Sequence, residues 1–431
     1  MDIDTVKKAL LKFEETAPKD TFERAMQLPE IPFDKVIAIV GPRRAGKSYY
    51  LYNIYKKQAK KKPVFINFED NILKGMTGSD LNLITESAKE LFESGDFVFF
   101  LDEIQVVEGW ENFAISLLNW HFRTYATGSN SRMLSSDIAT SLRGKALPFL
   151  LLPLSFREFL DVKGLALDAK TQYSSKVYRI KRLFREYLTH GGFPELVLAK
   201  DIGLKNRLVN NYFDTVIYKD TIERNSISNI KLATTTAKYL LNLYGNPFSI
   251  AAYENYLKSN KMPYSLEDIY TILGTLQDIY FVSYVKQYAK SFKKSEYSKS
   301  KIYLFDTSYI TFLASETADM GRVLENAVFI ELFRRQNSIQ NNGIYYYKTR
   351  SGKECDFIIK KKAKKPAAIQ ACYRLTEKNR KREIEGLAET LQELGIKEGT
   401  ILTYDQQEKI QKNGKKINVE PAWKWLLESN S

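Results

Sequence analysis

The chain has 431 residues, 44% of them hydrophobic, and a formal net charge of +14. This length predicts two or three domains, and 27 tyrosines and 25 phenylalanines argue against a disordered chain. Only two histidines and two cysteines are present, so histidine-based metal clusters, a Ser-His-Asp triad and a disulfide framework are unfavourable interpretations.

The start of the sequence and the lengths of its apolar runs give expectations about targeting. Its first residues carry acids and no long apolar segment, so we expect no secretory signal. No apolar run reaches the roughly 18–20 residues that a membrane-spanning helix needs. Few cysteines fit a reducing compartment. We therefore expect a cytoplasmic protein without a membrane partner.

The first predicted strand leads into a glycine-rich turn. Val36–Val40 is an apolar run typical of a buried strand, and Gly41–Ser48 matches G-x-x-x-x-G-K-S/T at every fixed position. Residues 49–55 can continue as a helix. In this setting backbone N–H groups bind a β-phosphate, while Lys47 adds charge near the β- and γ-phosphates and Ser48 offers a hydroxyl to Mg²⁺. The predicted ATP-binding residues are Gly41, Pro42, Arg43, Arg44, Ala45, Gly46, Lys47, Ser48 and Tyr49.

A second apolar run ends in two acids. Phe97–Leu101 is typical of a buried parallel strand, and Asp102 and Glu103 follow it. Asp102 at this place can hold the hydration shell of Mg²⁺ together with Ser48, and Glu103 can polarise an attacking water. An ordinary acidic turn is the alternative, but its pairing with the glycine-rich loop favours a catalytic role for Glu103 and Lys47.

A third strand ends in polar residues. It runs through Tyr125–Thr127 and is followed by Gly128, Ser129 and Asn130. Ser129 and Asn130 are candidates for sensing the γ-phosphate or positioning the water, although such residues are also common in plain turns. Strands alternate with helices over residues 30–155, which predicts an α/β fold with a parallel sheet covered on both faces.

The middle of the chain has the pattern of a winged helix. Helical segments are followed by two predicted strands, Phe281–Val285 and Lys301–Phe305, joined by a basic, serine-rich stretch. This stretch carries Lys286, Lys290, Lys293, Lys294, Lys299 and Lys301. A helix–turn–helix followed by a basic hairpin can present charge to a nucleic-acid duplex. Packing or protein contact is an equally open interpretation.

The C-terminal third carries an incomplete hydrolase pattern. Glu325 lies near the start of a predicted helix, Asp356 lies on a strand, and Gln370 lies on the next strand. Such carboxylates hold Mg²⁺ in restriction-nuclease-like folds, where a lysine helps to activate water. Cys372 stands at the position of that lysine, and a thiol cannot supply a permanent ammonium. We therefore expect this degenerate site to serve binding or structure, with nuclease activity as the weaker alternative.

The order of these motifs resembles that of a large group of prokaryotic AAA+ ATPases. The matching segments are Gly41–Ser48, Leu101–Gln105, Thr127–Ser129, Pro153–Phe159 and Gly191–Glu195. In that group the C-terminal part is a domain of unknown function related to restriction-endonuclease folds, and Glu325–Phe329, Glu354–Phe357 and Pro421–Leu427 resemble it. The resemblance implies an AAA-type P-loop core over residues 1–155, a helical and winged-helix region over 156–305, and a non-catalytic endonuclease-like domain over 306–431.

The resemblance does not supply a biological role, and the chain departs from the family pattern at one point. The family often has Leu-x-Gly-Arg before the last core strand, where this chain has Leu142–Lys145, and lysine lacks the planar fork of arginine. Arg143 or Arg132 are the candidates for an arginine finger in a homo-oligomer. We expect Mg²⁺-dependent ATP hydrolysis that drives a conformational switch coupled to a nucleic acid such as DNA. A protein partner is the alternative.

Overall fold

A computed structural model describes most of the chain as two compact units, Met1–Leu152 and Pro153–Ser431. The described residues are 1–18, 21–32, 34–58, 61–92, 95–129, 142, 144–168, 175–223, 227–289, 291–296, 298–336, 343–360 and 365–428. Within these ranges, every helix is too short or too polar to cross a bilayer. The predicted three-part division of the chain stays a prediction.

A five-stranded parallel sheet forms the centre of the first unit, as the sequence predicts. Its strands are β1 Val36–Val40, β2 Lys62–Asn67, β3 Phe97–Asp102, β4 Arg123–Gly128 and β5 Ala146–Leu150. Their order in the sheet is β2-β3-β4-β1-β5. The accompanying helices are α1 Ile3–Thr16, α2 Lys47–Lys56, α3 Asn82–Leu91 and α4 Trp110–Asn119.

Aromatic packing holds α1 to this sheet and also joins neighbouring strands. Phe65 of β2 stacks on Phe13 of α1 with ring centroids 3.8 Å apart, and Phe100 of β3 stacks on Tyr125 of β4 at 5.0 Å. Both β1 and β3 are buried along their whole length, which explains their unbroken apolar sequences. Because all five strands are parallel, their carboxyl ends meet at one edge, where binding sites of open α/β sheets lie.

The second unit begins with helices and a small antiparallel sheet. The helices are α5 Phe156–Val162, α6 Lys176–His190, α7 Pro194–Leu198, α8 Ile202–Thr215, α9 Ile230–Asn242, α10 Ile250–Ser259, α11 Leu266–Asp278, α12 Phe292–Glu296 and α13 Ser308–Leu313, with a π-helical segment at Val216–Glu223. The strands are β6 Pro247–Phe248, β7 Val282–Val285 and β8 Ser300–Leu304, in the order β6-β8-β7. The predicted hairpin is therefore present as β7 and β8, while assignment to the winged-helix fold stays a prediction.

A tight turn joins α6 to α7 in this unit. Gly191 has φ +74°, and the N–H of Gly192 donates to Oδ2 of Asp306 at 2.8 Å. A Cβ atom on Gly191 would lie 1.8 Å from Oδ1 of Asp306. Gly191 is thus required because the turn passes directly over a buried carboxylate, and a Cβ atom on Gly192 would lie 2.4 Å from the carbonyl oxygen of Leu154.

The rest of the second unit is a six-stranded mixed sheet with three helices. Its strands are β9 Ile344–Lys348, β10 Glu354–Ile359, β11 Ala367–Ala371, β12 Glu398–Thr403, β13 Glu408–Lys412 and β14 Lys415–Pro421, in the order β13-β14-β12-β11-β10-β9. The helices are α14 Met320–Gln336, α15 Glu377–Glu393 and α16 Ala422–Leu427. Backbone bonds from Tyr346 of β9 to Lys286 and Tyr288 connect this sheet to the end of β7. Its assignment as an endonuclease-like fold stays a prediction.

Candidate functional site

The glycine-rich loop lies between β1 and α2 in a conformation that its glycines make accessible. Gly41 has φ +151°, and a Cβ atom there would lie 2.1 Å from the carbonyl oxygen of Leu151. Gly46 has φ +89° and directly precedes the first residue of α2. A side chain would clash with backbone at Gly41 and would be strained at Gly46, so both positions favour glycine.

The side chain of Lys47 points to the inner side of this loop. Its Nζ atom donates to the carbonyl oxygens of Gly41 at 3.2 Å and Pro42 at 3.1 Å. The same atom lies 3.7 Å from Oε1 of Glu103, and the lysine is buried. The predicted phosphate-binding cation and the predicted catalytic carboxylate are therefore neighbours.

Asp102 ends β3 and is 1% exposed. Its Oδ1 atom accepts a hydrogen bond from the hydroxyl of Thr127 at 2.6 Å, and the hydroxyl of Ser48 also bonds to this carboxylate. Burial and the adjacent charge of Glu103 raise the pKa of Asp102 to about 6. The two predicted Mg²⁺ ligands, Ser48 and Asp102, thus lie side by side.

Glu103 is held in a backbone conformation that is costly for a residue with a side chain. Its φ is +53°, in the left-handed region, which costs on the order of 1–3 kcal/mol. Its N–H donates to Oγ1 of Thr127 at 2.9 Å, and its Oε2 atom accepts a bond from the amide of Gln105. These contacts hold the strained backbone in place and fix the direction of the Glu103 side chain.

Thr127 is the member of this cluster that the sequence analysis missed. Its hydroxyl accepts from the N–H of Glu103 and donates to Asp102, whereas the sequence pattern predicts this role for Ser129 and Asn130. The sequence feature that could have identified Thr127 is a hydroxyl side chain near the end of a predicted apolar strand. Of the selected residues, Ser129 lies at the same sheet edge. Asn130, Arg132 and Arg143 lie outside the described residues.

A buried hydroxyl tests whether this edge of the sheet fits a nucleotide. Ser129 is 1% exposed, and its Oγ atom has no hydrogen-bond partner among the described residues. Buried polar atoms are nearly always paired, so a phosphate oxygen or an ordered water is the partner that this hydroxyl requires. Together with one ammonium, one carboxylate and the Ser48 hydroxyl, it gives a donor set that fits a triphosphate with Mg²⁺.

The remaining predicted loop residues lie at the periphery of this set. Arg43 makes an ion pair with Glu69, with 3.3 Å between Nη1 and Oε1. Arg44 is exposed and has φ +66°, and Tyr49 is half exposed on the outer face of α2. These three side chains are therefore arranged around the loop rather than inside it.

A second polar cluster lies in the C-terminal sheet region, on the floor of a cavity of about 980 Å³. The cavity is lined by the predicted residues Glu325, Asp356 and Gln370. The two amide atoms of Gln370 are used within the protein: Oε1 accepts from the N–H of Asp356 at 3.1 Å, and Nε2 donates to Glu383 at 2.9 Å. Burial and the charge of Glu325 raise the pKa of Asp356 well above its usual range.

Lys301 enters this cluster from β8, and the sequence analysis placed it wrongly. The sequence pattern predicts it to be one of the exposed lysines of a basic hairpin, but it is only 2% exposed. Its Nζ atom lies 2.9 Å from Glu325 Oε1, 2.6 Å from Glu354 Oε1 and 3.1 Å from Asp356 Oδ1. An ammonium is thus present where Cys372 cannot provide one. Among the described residues, no three acidic, histidine or cysteine side chains are arranged to hold a metal ion.

Three family models together match most of the chain. Residues 33–160 match an AAA domain, which contains the glycine-rich loop and the acidic pair. Residues 181–319 match the domain of unknown function DUF8612, and residues 320–425 match the domain of unknown function DUF4143. The match to an AAA domain agrees with the parallel sheet.

Two relatives extend the similarity over nearly the whole chain. The uncharacterized protein MJ1544 of Methanocaldococcus jannaschii is 36% identical over 411 residues, which cover 94% of this chain and 90% of that one. An uncharacterized protein of Haemophilus influenzae is 30% identical over 365 residues, covering 82% and 86%. A solved structure, the Walker-type ATPase PABY2304 of Pyrococcus abyssi, matches with 12% identity and a TM-score of 0.43, covering 72% of this chain and 95% of that chain. The chain therefore belongs to the same family as these two uncharacterized proteins, and it carries an AAA domain at residues 33–160.

Proposed function

We propose that the chain binds Mg²⁺–ATP at the loop Gly41–Ser48 and hydrolyses it. The observation that carries this proposal is the convergence of Lys47, Ser48, Asp102 and Glu103 at one sheet edge. In this proposal Ser48 and Asp102 hold the Mg²⁺ ion, which when bound neutralises charge on the phosphate oxygens. Lys47 would hold the phosphates, since its ammonium already lies inside the loop.

Glu103 is the residue that we propose to orient the attacking water. Gln105 holds one oxygen of this carboxylate, and Thr127 holds its backbone N–H. These contacts fix the direction of the side chain before a substrate binds, which reduces the reorganisation needed during the reaction. The hydroxyl of Ser129 would then contact a phosphate oxygen or the water itself.

The test separates binding from hydrolysis. We expect Lys47→Ala to lose both nucleotide binding and phosphate release, and Glu103→Gln to bind nucleotide while phosphate release falls by about two orders of magnitude or more. Lys74→Ala and Glu108→Gln change exposed residues of the same unit and serve as controls. Phosphate release at the wild-type rate in both site variants would refute the proposal.

We propose second that the chain binds a nucleic acid, and the observations that support this are separate from those at the glycine-rich loop. Its support is the edge hairpin of β13 and β14, which exposes Lys409 and Lys412, together with the net charge of +14. The hairpin of β7 and β8 supports nucleic-acid binding less than its lysine-rich sequence predicts. Lys301 is buried, and Lys286 is paired with Glu296 at 2.6 Å.

Salt dependence tests this second proposal. We expect DNA binding that weakens steeply as salt increases, and a smaller slope in the double variant Lys409→Glu and Lys412→Glu. Lack of binding to DNA or RNA at low salt, with and without nucleotide, would favour a protein partner instead. Metal-dependent cleavage of the DNA that disappears in Asp356→Ala would favour the weaker alternative, a nuclease.

A further inference from the structure

The segment between α1 and β1 packs against the helix that follows the phosphate loop. The amide of Asn53 donates to the carbonyl oxygen of Phe22 at 2.9 Å, and the hydroxyl of Tyr50 donates to the carbonyl oxygen of Met26 at 3.0 Å. Both donors belong to α2. Residues 22–26, which we call the strap, are thereby fixed along this helix with their backbone held at both ends.

The strap sends one charged side chain inward. Arg24 is 7% exposed. Its Nη1 atom donates to the carbonyl oxygen of Ala45 at 2.8 Å, and its Nη2 atom donates to that of Leu152 at 2.7 Å. Hydrogen bonds from a charged donor contribute more to stability than neutral ones, and the planar guanidinium fixes the relative positions of its two acceptors. Arg24 therefore connects the phosphate loop to the chain that follows β5.

The bond to Ala45 determines where the next backbone N–H points. The peptide between Ala45 and Gly46 is trans and planar, so its C=O and its N–H point in opposite directions. Because Arg24 holds the C=O on the outer side, the N–H of Gly46 is directed to the other side of the loop. Backbone N–H groups at this junction of loop and helix are those that bind phosphate.

The same region of chain constrains both ends of the loop. The carbonyl oxygen of Leu151 lies against Gly41 at the start of the loop, and the carbonyl oxygen of Leu152 shares Arg24 with Ala45 near its end. The loop is therefore fixed from outside by backbone and guanidinium contacts, while its inner side carries the ammonium of Lys47.

We propose that Arg24 is a positioning residue for nucleotide binding. It acts on the orientation of the Ala45–Gly46 peptide and does not itself contact the nucleotide. This inference rests on the proposed function of the loop as a phosphate-binding site. It assigns a role to a residue that precedes the first strand of the sheet and lies outside the glycine-rich motif.

Binding of the fluorescent nucleotide mant-ADP to the full chain tests the proposal. We expect about 10-fold weaker binding by Arg24→Met, because the carbonyl of Ala45 loses the donor that fixes the orientation of the Ala45–Gly46 peptide. Arg24→Lys keeps the charge but cannot bridge two carbonyls with a planar fork, so we expect an intermediate loss. The control is Arg123→Met, which removes an exposed arginine that donates to the carbonyl of Ile31 at 3.3 Å.

A second measurement needs no nucleotide. In Arg24→Met we expect faster hydrogen exchange of the backbone amides in residues 41–47 than in wild type, with unchanged exchange in β3. A purely structural role of Arg24 would lower the unfolding midpoint and leave both the affinity of the folded protein and the local exchange unchanged. That result would overturn the inference.

The outcomes for the proposed function and for Arg24 are distinguishable. If wild type does not bind mant-ADP, the proposed function fails, and the inference fails with it. If wild type binds and Arg24→Met binds equally well with unchanged loop exchange, only the inference fails. If Arg24→Met does not fold, Arg24→Lys decides, and wild-type affinity in this variant overturns the inference.

Discussion

The Nζ atom of Lys301 lies 3.1 Å from Oδ1 of Asp356, although the two residues are 55 positions apart in the chain. The same ammonium contacts Glu325 and Glu354, and all of these contacts lie beneath one cavity. The nuclease-like sequence pattern has Cys372 where a lysine is expected, but the fold brings Lys301 into the same cluster of carboxylates. The ammonium neutralises carboxylates that would otherwise be buried together with like charge.

We predict that Lys301→Met destabilises the second unit by about 3–5 kcal/mol, because it leaves buried carboxylates without their cation. The measurement is urea unfolding followed by tryptophan fluorescence. Lys299→Met, an exposed neighbour, is the matched control and should change stability by less than about 0.5 kcal/mol. Equal stability of the two variants would show that Lys301 does not hold this cluster together.

Continuous apolar runs made the first unit largely predictable from its sequence. Residues 36–40 and 97–101 are buried on both faces, so nearly every position is apolar and the parallel sheet follows. The glycine-rich loop was equally readable, since Gly41 and Gly46 need conformations that few residues adopt. Local rules therefore identified the loop and the strands that flank it.

Contacts made across the fold were not predictable by those rules. Lysines close together in sequence usually form a solvated surface, and nothing local distinguishes Lys301 from Lys299. Its burial depends on carboxylates contributed by α14 and β10. Arg24 is similar, because its acceptors are backbone carbonyls, which leave no trace in the sequence. The sequence can name the motif but not the residues that other elements deliver to it.

The turn at Gly191 offers a prediction about backbone and packing. We expect Gly191→Ala to destabilise the second unit by roughly 3 kcal/mol or more, because the new methyl group would displace the buried carboxylate of Asp306 and φ is positive. Gly164→Ala is the control: φ is +66° there, but no described atom lies within 4 Å of the added Cβ. We expect that variant to lose about 1 kcal/mol. Similar losses in the two variants, measured by urea unfolding, would contradict this account.

The carboxylate beneath this turn makes the stability depend on pH. Burial raises the pKa of Asp306 to about 6, despite hydrogen bonds from Ser308 and from the N–H of Gly192. The hydroxyls of Tyr187 and Tyr309 belong to the same environment. The folded state therefore binds the Asp306 proton more tightly than the unfolded state. Its contribution to stability is fully present below about pH 4 and is lost as the pH rises through 6.

The corresponding experiment compares wild type with Asp306→Asn, which cannot titrate. We expect the difference in unfolding free energy between the two proteins to change by roughly 2–3 kcal/mol from pH 4 to pH 7.5, in the direction that favours wild type at low pH. Subtracting the two proteins removes the titration of all other groups that they share. A difference that is independent of pH would show that Asp306 is ionised equally in the folded and unfolded states.

Thr127 links the two acids of the candidate nucleotide site, and its hydroxyl can be removed without changing the shape of the side chain. In Thr127→Val, Asp102 loses a 2.6 Å hydrogen bond and the N–H of Glu103 loses its acceptor, so both carboxylates become less well oriented. We expect phosphate release to fall about 10- to 100-fold, as for other residues that orient metal ligands, while mant-ADP binding without Mg²⁺ changes little.

Thr124→Val, on the same strand, is the control because its hydroxyl bonds only to the carbonyl of Phe122 among the described contacts. If Thr127→Val and Thr124→Val release phosphate at the same rate, the hydroxyl of Thr127 has no part in orienting the acidic pair.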